Sequence, residues 1–120
     1  MILIEKIDIK PIQLENQKIK ECTEFYLEIR DNSILYAARF FAEEPINEDD
    51  KELGWKSVFN CFKIVAEKEN IAGIEKNYTK YKYWSVYVSV LGFATDIKMF
   101  FKLESEAVEI FDKLHKWLYE

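Results

Sequence analysis

Two regions of the chain alternate between apolar and polar side chains, which is the pattern of a β-strand with one buried face. In residues 23–30 every second side chain, beginning at Phe25, is strongly apolar. Turn-favouring residues follow at 31–33, and residues 34–41 then carry apolar side chains on both faces, as a central strand does. We therefore predict a β-hairpin over residues 23–41.

A second hairpin is predicted over residues 81–103. Residues 81–91 alternate, and tyrosine and serine share the face that is half polar. The face that we assign to the core carries Trp84, Val86, Val88 and Val90. Residues 97–103 return after a turn and form the partner strand.

Two segments show the spacing of an amphipathic helix. Residues 105–119 repeat apolar side chains over four turns, with acidic residues first and lysines later, an order that suits the helix dipole. Residues 49–69 carry apolar side chains at i, i+3, i+4 and i+7 counted from Val58. We predict a helix in each segment.

Residues 1–14 are predicted to be extended, and Pro11 within them favours a sheet edge. The predicted element order is then β-β-β-α-β-β-α. Hairpins joined by helices favour an antiparallel sheet, here of about five strands, with both helices packed on one face. We therefore predict an α+β fold in a single domain that spans residues 1–120.

The composition fits a globular chain with one core. Its 120 residues are 49% apolar and 32% charged, and a chain of this length can bury about two-thirds of its surface. No stretch approaches 18 apolar residues, so we predict no membrane contact. Charges at Glu5 and Lys6 interrupt the apolar start, and we expect no signal peptide and a cytoplasmic protein with reduced cysteines.

Residues that support catalysis or bind metal ions do not form a recognisable set in this sequence. His115 is the only histidine, and neither a nucleophile motif nor a glycine-rich phosphate loop accompanies it. Cys22 and Cys61 lie far apart without a CxxC pair, which excludes the common zinc patterns. We predict that the protein is not an enzyme and uses no metal or cofactor.

The charge of the chain is concentrated in one segment. Residues 43–52 hold six carboxylates and one lysine, so their net charge of −5 equals that of the whole chain. Clustered charge speeds the encounter with an oppositely charged partner, and we predict that this segment binds a basic protein. The predicted acidic contacts are Glu43, Glu44, Glu48, Asp49, Asp50 and Glu52.

Aromatic side chains make up 16% of the chain, and tyrosine and tryptophan are effective anchors in protein interfaces. The aromatic anchors that we predict are Tyr36, Trp55, Tyr83 and Tyr87. Residues 76–84 interleave lysines with aromatic side chains, a combination that can bind single-stranded nucleic acid. Three lysines on an acidic chain neutralise few phosphates, so we predict no nucleic-acid binding.

In size, acidity, α+β pattern, aromatic content and lack of a catalytic set, the whole chain resembles the small cytoplasmic immunity proteins that bacteria pair with secreted toxins. Those of contact-dependent growth inhibition systems are among them. The resemblance implies a tight inhibitor that occludes the active site of a basic toxin domain, often a nuclease. The residues leave two alternatives open. One is a homo-oligomeric module of phage or mobile-element origin that binds a small ligand or acts as a scaffold, and the other is an enzyme whose site is not recognisable from sequence.

Overall fold

In the part of the chain that the structure describes, seven strands in two antiparallel sheets and one C-terminal helix form an α+β fold. The computed structural model describes residues 2–13, 17–79, 82–94 and 96–120. The larger sheet has the order β1 (Leu3–Asp8), β2 (Lys18–Arg30), β3 (Ser33–Pro45), β4 (Trp55–Glu67). The smaller sheet has the order β5 (Ile71–Tyr78), β6 (Trp84–Val90), β7 (Ile97–Phe101), and helix α1 spans Glu104–Tyr119.

Three long strands determine the shape of the molecule. β2, β3 and β4 contain 13 residues each, which corresponds to about 43 Å at the usual rise per residue. The strands of the smaller sheet contain eight, seven and five residues, and the whole molecule measures 50 × 28 × 26 Å. The long strands therefore extend beyond the part of the molecule in which the two sheets share a core.

The main core lies between the smaller sheet, helix α1 and the half of the larger sheet next to the turn at residues 31–32. Alternation along β2 turns its apolar side chains towards this core, and β3 contributes the side chains of one of its two apolar faces. Its fully buried members include Leu27, Ile34, Val86, Val88, Ile97, Met99, Ala107 and Leu114. The other half of the larger sheet, residues 18–24, 39–45 and 55–61, contributes nothing to this cluster, and we call it the distal half.

Helix α1 is fixed to the larger sheet by polar contacts as well as by packing. The indole Nε1 of Trp117 donates a hydrogen bond of 2.7 Å to the carbonyl oxygen of Arg30. The Lys113 ammonium lies 2.8 Å from Glu5 and 3.2 Å from Glu109, and these two carboxylates raise the pKa of Lys113. The helix thus ties β1 and the end of β2 to the smaller sheet.

Several sequence predictions are confirmed. β2 and β3 form the first hairpin, which is longer than predicted because β2 begins at Lys18 and β3 ends at Pro45. β6 and β7 form the second hairpin, and its predicted core face is the buried one. The C-terminal helix is confirmed and begins at Glu104. Met1, Leu14 and Tyr81, at the predicted ends of two strands, lie outside the described residues.

The predicted helix over residues 49–69 is wrong, because most of this segment is the strand β4. Its 13 residues pair one by one with β3, from Trp55 opposite Pro45 to Glu67 opposite Ser33. Residues 55–67 carry apolar side chains on both faces of the strand, and such a pattern imitates helical spacing. Residues 71–78, for which the sequence predicts no helix or strand, form β5.

These two differences change the architecture. The sequence predicts a single sheet of about five strands with two helices. The described residues instead form two sheets, of four and three strands, and one helix. Because β3 is apolar on both faces, it belongs in the middle of a sheet and needs a strand on either side. β4 supplies the second of these neighbours.

Replacing Leu114 by alanine tests the packing of α1. Leu114 is fully buried in the main core, so we expect the variant to lose about 2–5 kcal/mol of unfolding free energy. The measurement is equilibrium unfolding in urea. The matched control is Leu91→Ala, at an exposed leucine, which should stay within about 0.5 kcal/mol of the wild type. Equal midpoints for the two variants would contradict this packing.

Candidate protein-binding surface

The six predicted acidic contacts lie together at the tip of the distal half. Glu43 and Glu44 are among the last residues of β3. Glu48, Asp49 and Asp50 lie in the connection to β4, and Glu52 lies in a short 3-10 turn, Lys51–Leu53. The structure therefore brings the whole predicted acidic segment to one end of the larger sheet.

Local hydrogen bonds shape the acidic connection. The Asp49 amide donates to the Asn47 side chain at 2.9 Å, and the Glu52 amide donates to the Asp50 carboxylate at 3.1 Å. The connection closes where the Ile46 amide donates to the Gly54 carbonyl oxygen at 3.0 Å. Gly54 has a φ of +105°, which favours glycine because it lacks a Cβ. The exposed carboxylates are thus carried by a connection with a defined turn structure.

The acidic residues differ in how far their charge is already compensated. Glu43 lies 3.6 Å from the Lys20 ammonium, and Glu44 accepts a hydrogen bond of 2.9 Å from Gln17. Among the described residues, no lysine or arginine pairs with the four exposed carboxylates that follow. These four are Glu48, Asp49, Asp50 and Glu52.

Three aromatic side chains lie exposed on the outer face of the same distal half, the face turned away from the core. The rings of Phe41 and Phe59 are opposite each other on β3 and β4, with centroids 4.9 Å apart. Their exposed fractions are 40% and 50%, and that of Trp55 is 40%. Trp55 pairs with Pro45 beside the acidic connection. We call Phe41, Trp55 and Phe59 the distal patch.

Of the four predicted aromatic anchors, only Trp55 belongs to this surface. Tyr36 is 4% exposed and its ring packs against Phe62, with centroids 5.3 Å apart, so it is part of the interior. The Tyr83 hydroxyl donates to the Gln13 carbonyl oxygen. Tyr87 lies on the smaller sheet, half-buried beside Phe100. The structure does not bring these four side chains together.

The sequence predictions missed Phe41 and Phe59 as surface residues. The available signal was the alternation within residues 55–67, which places Trp55, Phe59 and Val65 on one side of a strand. Phe59 lies opposite Phe41 only if residues 55–67 form a strand. The predicted helix over residues 49–69 therefore gave no reason to place these two rings side by side.

An apolar groove lies on the opposite, inner face of the larger sheet, where it meets β7. It encloses about 260 Å³. Its aromatic lining consists of Phe25, Tyr36, Phe40, Phe62 and Phe100. Lys10 and Lys98 also line it, and burial raises the pKa of Tyr36. This groove offers an apolar site with two cations.

The residues considered for chemistry are scattered. His115 is exposed on α1 and lies between the rings of Phe111 and Tyr119. Cys22 and Cys61 are both free and exposed. Within the described ranges, no group of three or more histidine, cysteine, aspartate or glutamate side chains is placed to hold a metal ion. In the same ranges, no helix has the length and apolarity needed to cross a bilayer.

No family model, curated protein or solved structure matches this chain. Its function must therefore be inferred from its own surfaces.

Tyr36 predicts how stability changes at alkaline pH. Desolvation raises the pKa of Tyr36 above its ordinary value of 10.0. The unfolded chain therefore releases this proton at a lower pH than the folded chain does. The stability that the neutral phenol provides is complete below about pH 10 and is lost as the pH rises towards the folded pKa.

Tyr36→Phe should reduce the loss of unfolding free energy above pH 10 by up to about 1.4 kcal/mol per pH unit. The measurement is urea unfolding at a series of alkaline pH values. Tyr78→Phe, at an exposed tyrosine, is the control and should keep the wild-type slope. A wild-type slope in the Tyr36 variant would show that this hydroxyl is not desolvated in the fold.

Proposed function

We propose that this chain is a non-catalytic binding protein that neutralises a cognate basic toxin domain by covering its active site. One observation carries the proposal: exposed carboxylates and exposed aromatic side chains share the distal half of the larger sheet. Glu48, Asp49, Asp50 and Glu52 lie in the connection that leads into β4 at Trp55, and Phe59 follows on the same outer face as Trp55.

The two kinds of residue have separate roles in this proposal. Clustered carboxylates attract a basic partner over distance and raise its association rate. Exposed aromatic rings then bury a large apolar area, which slows dissociation. The rings of Phe41 and Phe59 already contact each other across two paired strands, so less conformational entropy is lost on binding.

The shape of the distal half favours occlusion of a cleft. The strands extend beyond the shared core, and the acidic connection lies at their end. An active site that binds a polyanion such as nucleic acid is lined by cations. A projecting end with four uncompensated carboxylates complements such a cleft in charge, and the resemblance to immunity proteins agrees with this function.

A second candidate function, small-ligand binding, is favoured by the apolar groove. Its aromatic lining and the two lysines, Lys10 and Lys98, suit an amphipathic anion. If this second function is correct, such a ligand should raise the melting temperature of the chain when no protein partner is present. A melting temperature unchanged by medium-chain fatty acids would count against it.

The proposed function is tested by a growth assay. The C-terminal domain of the protein encoded directly upstream is expressed in a bacterium with and without this chain. We expect the domain alone to stop growth and co-expression to restore it. Toxicity that persists during co-expression would contradict neutralisation of that domain.

Charge reversal at the tip tests where the partner binds. The test variant carries Glu48→Lys, Asp49→Lys and Glu52→Lys. It keeps the Asp50 carboxylate, which accepts a hydrogen bond from the backbone amide of residue 52. We expect association with the toxin domain of the growth assay to slow by about tenfold or more at low salt, with little remaining salt dependence. Stopped-flow mixing at several ionic strengths measures both quantities.

The matched control reverses three exposed carboxylates away from the tip, Glu75→Lys, Asp112→Lys and Glu120→Lys. Both variants change the net charge from −5 to +1 (−5 plus three changes of +2). The control should retain most of the wild-type association rate. Equal slowing of both variants would mean that overall charge, and not the tip, attracts the partner.

A further inference from the structure

The outer edge of β4 is long, regular and unpaired. β4 pairs with β3 over 13 consecutive residues without a bulge, and none of the described residues pairs with its other side. Such an edge presents unpaired amide and carbonyl groups along about 43 Å. These groups can bond to a further strand.

β4 lacks most of the devices that protect sheet edges. Short strands, prolines, bulges and charged side chains, above all lysine, discourage pairing at an edge. Of these, β4 has only its charged residues, Lys56, Lys63 and Glu67. Residues 55–67 contain no proline or glycine. The edge strands β1 and β7 have only six and five residues, and the pairing of β1 and of β5 is interrupted by register shifts. β4 is therefore the edge of this molecule that is best suited to accept another strand.

We propose that two copies of this chain associate through antiparallel pairing of their β4 strands about a two-fold axis. The product is a continuous eight-stranded sheet. The middle residue of β4 is Cys61, so pairing over the full length places Cys61 opposite Cys61 of the second copy. The other opposite pairs are Trp55–Glu67, Lys56–Ala66, Ser57–Val65, Val58–Ile64, Phe59–Lys63 and Asn60–Phe62.

The side chains of β4 complement themselves in this register. No two like charges stand directly opposite each other, and like charges in that position destabilise a sheet. On the outer face, Lys63 lies opposite the exposed ring of Phe59, a favourable cation–aromatic pair. On the inner face, Val58 lies opposite Ile64, a β-branched pair that suits a sheet.

The acidic tips do not oppose this association. In an antiparallel pair of full length the two acidic connections stand at opposite ends, about 40 Å apart. Salt screens exposed charges beyond about 8 Å at physiological ionic strength. β4 itself carries two lysines and one glutamate, so its edge is not acidic. The distal patch of each copy stays on the open outer face, so the dimer remains compatible with partner binding.

The mass of the purified chain tests the association. Sedimentation over a wide range of protein concentration should show a species of twice the 14.4 kDa of one chain. Phe59→Lys places a second ammonium opposite Lys63 of the other copy and should abolish the dimer. Its matched control is Phe41→Lys, which removes the same contact between the two rings but lies on β3, away from the edge. The control should dimerise like the wild type.

Oxidative cross-linking tests the register. Directly opposite residues of antiparallel strands have Cα atoms about 4.5–5.5 Å apart, within the range for a disulfide. Diamide, which takes up the two thiol hydrogens and two electrons, should rapidly convert Cys22→Ser protein to a covalent dimer through Cys61. The control has Ser57→Cys as its sole cysteine, in a chain with both native cysteines replaced by serine.

In the proposed register the two cysteines of that control lie about 27 Å apart, so it should cross-link several-fold more slowly. The proposal is overturned by a wild-type chain that is monomeric at every concentration, or by a dimer that survives Phe59→Lys. Control protein that cross-links as fast as the Cys61 protein would also overturn it. A chain that stays monomeric, and whose β4 edge pairs only with a strand of another protein, would show that the occupant of this edge is not a second copy.

Discussion

The rest of the structure depends on the backbone pairing of β3 with a strand on each side. β3 is apolar on both faces and buried along most of its length, and its amide and carbonyl groups need partners wherever water is excluded. β2 and β4 provide these partners along almost the whole strand. The pairing fixes β4 as an extended strand, although the spacing of its apolar residues also fits a helix.

The equal length of these three strands creates two different environments. Near the turn at residues 31–32, the inner face is covered by the smaller sheet and α1 and forms the main core. Farther along, the strands continue beyond that cover and one face carries the exposed distal patch. The groove lies on the other face, where the cover ends at β7. The candidate binding surfaces arise because the sheet is longer than the layer packed on it.

The parts of the fold that were predictable from the sequence are those with a single dominant periodicity. Residues 23–30 and 84–90 alternate strictly, and residues 105–119 repeat with a helical period, so these predictions are confirmed. Residues 55–67 are apolar on both faces and support two interpretations, and only the pairing with β3 decides between them. Local sequence does not contain that information.

In the candidate site, too, some features follow from local sequence and others depend on tertiary packing. The acidic segment could be located because charge is a property of consecutive residues, and six carboxylates lie within residues 43–52. Exposure of an aromatic ring depends on what packs against it. Tyr36 and Phe41 are both on β3, yet Tyr36 is interior and Phe41 is exposed, because they point to opposite faces and lie at different distances from the shared core.

Amide hydrogen exchange resolved by residue along β4, at low protein concentration, tests most directly whether β4 is an edge strand paired on one side only. We expect slow exchange at every second residue of Trp55–Glu67, where the amide donates to β3, and fast exchange at the residues between them. Uniformly slow exchange at consecutive amides, as a helix would give, would show that β4 is not such a strand.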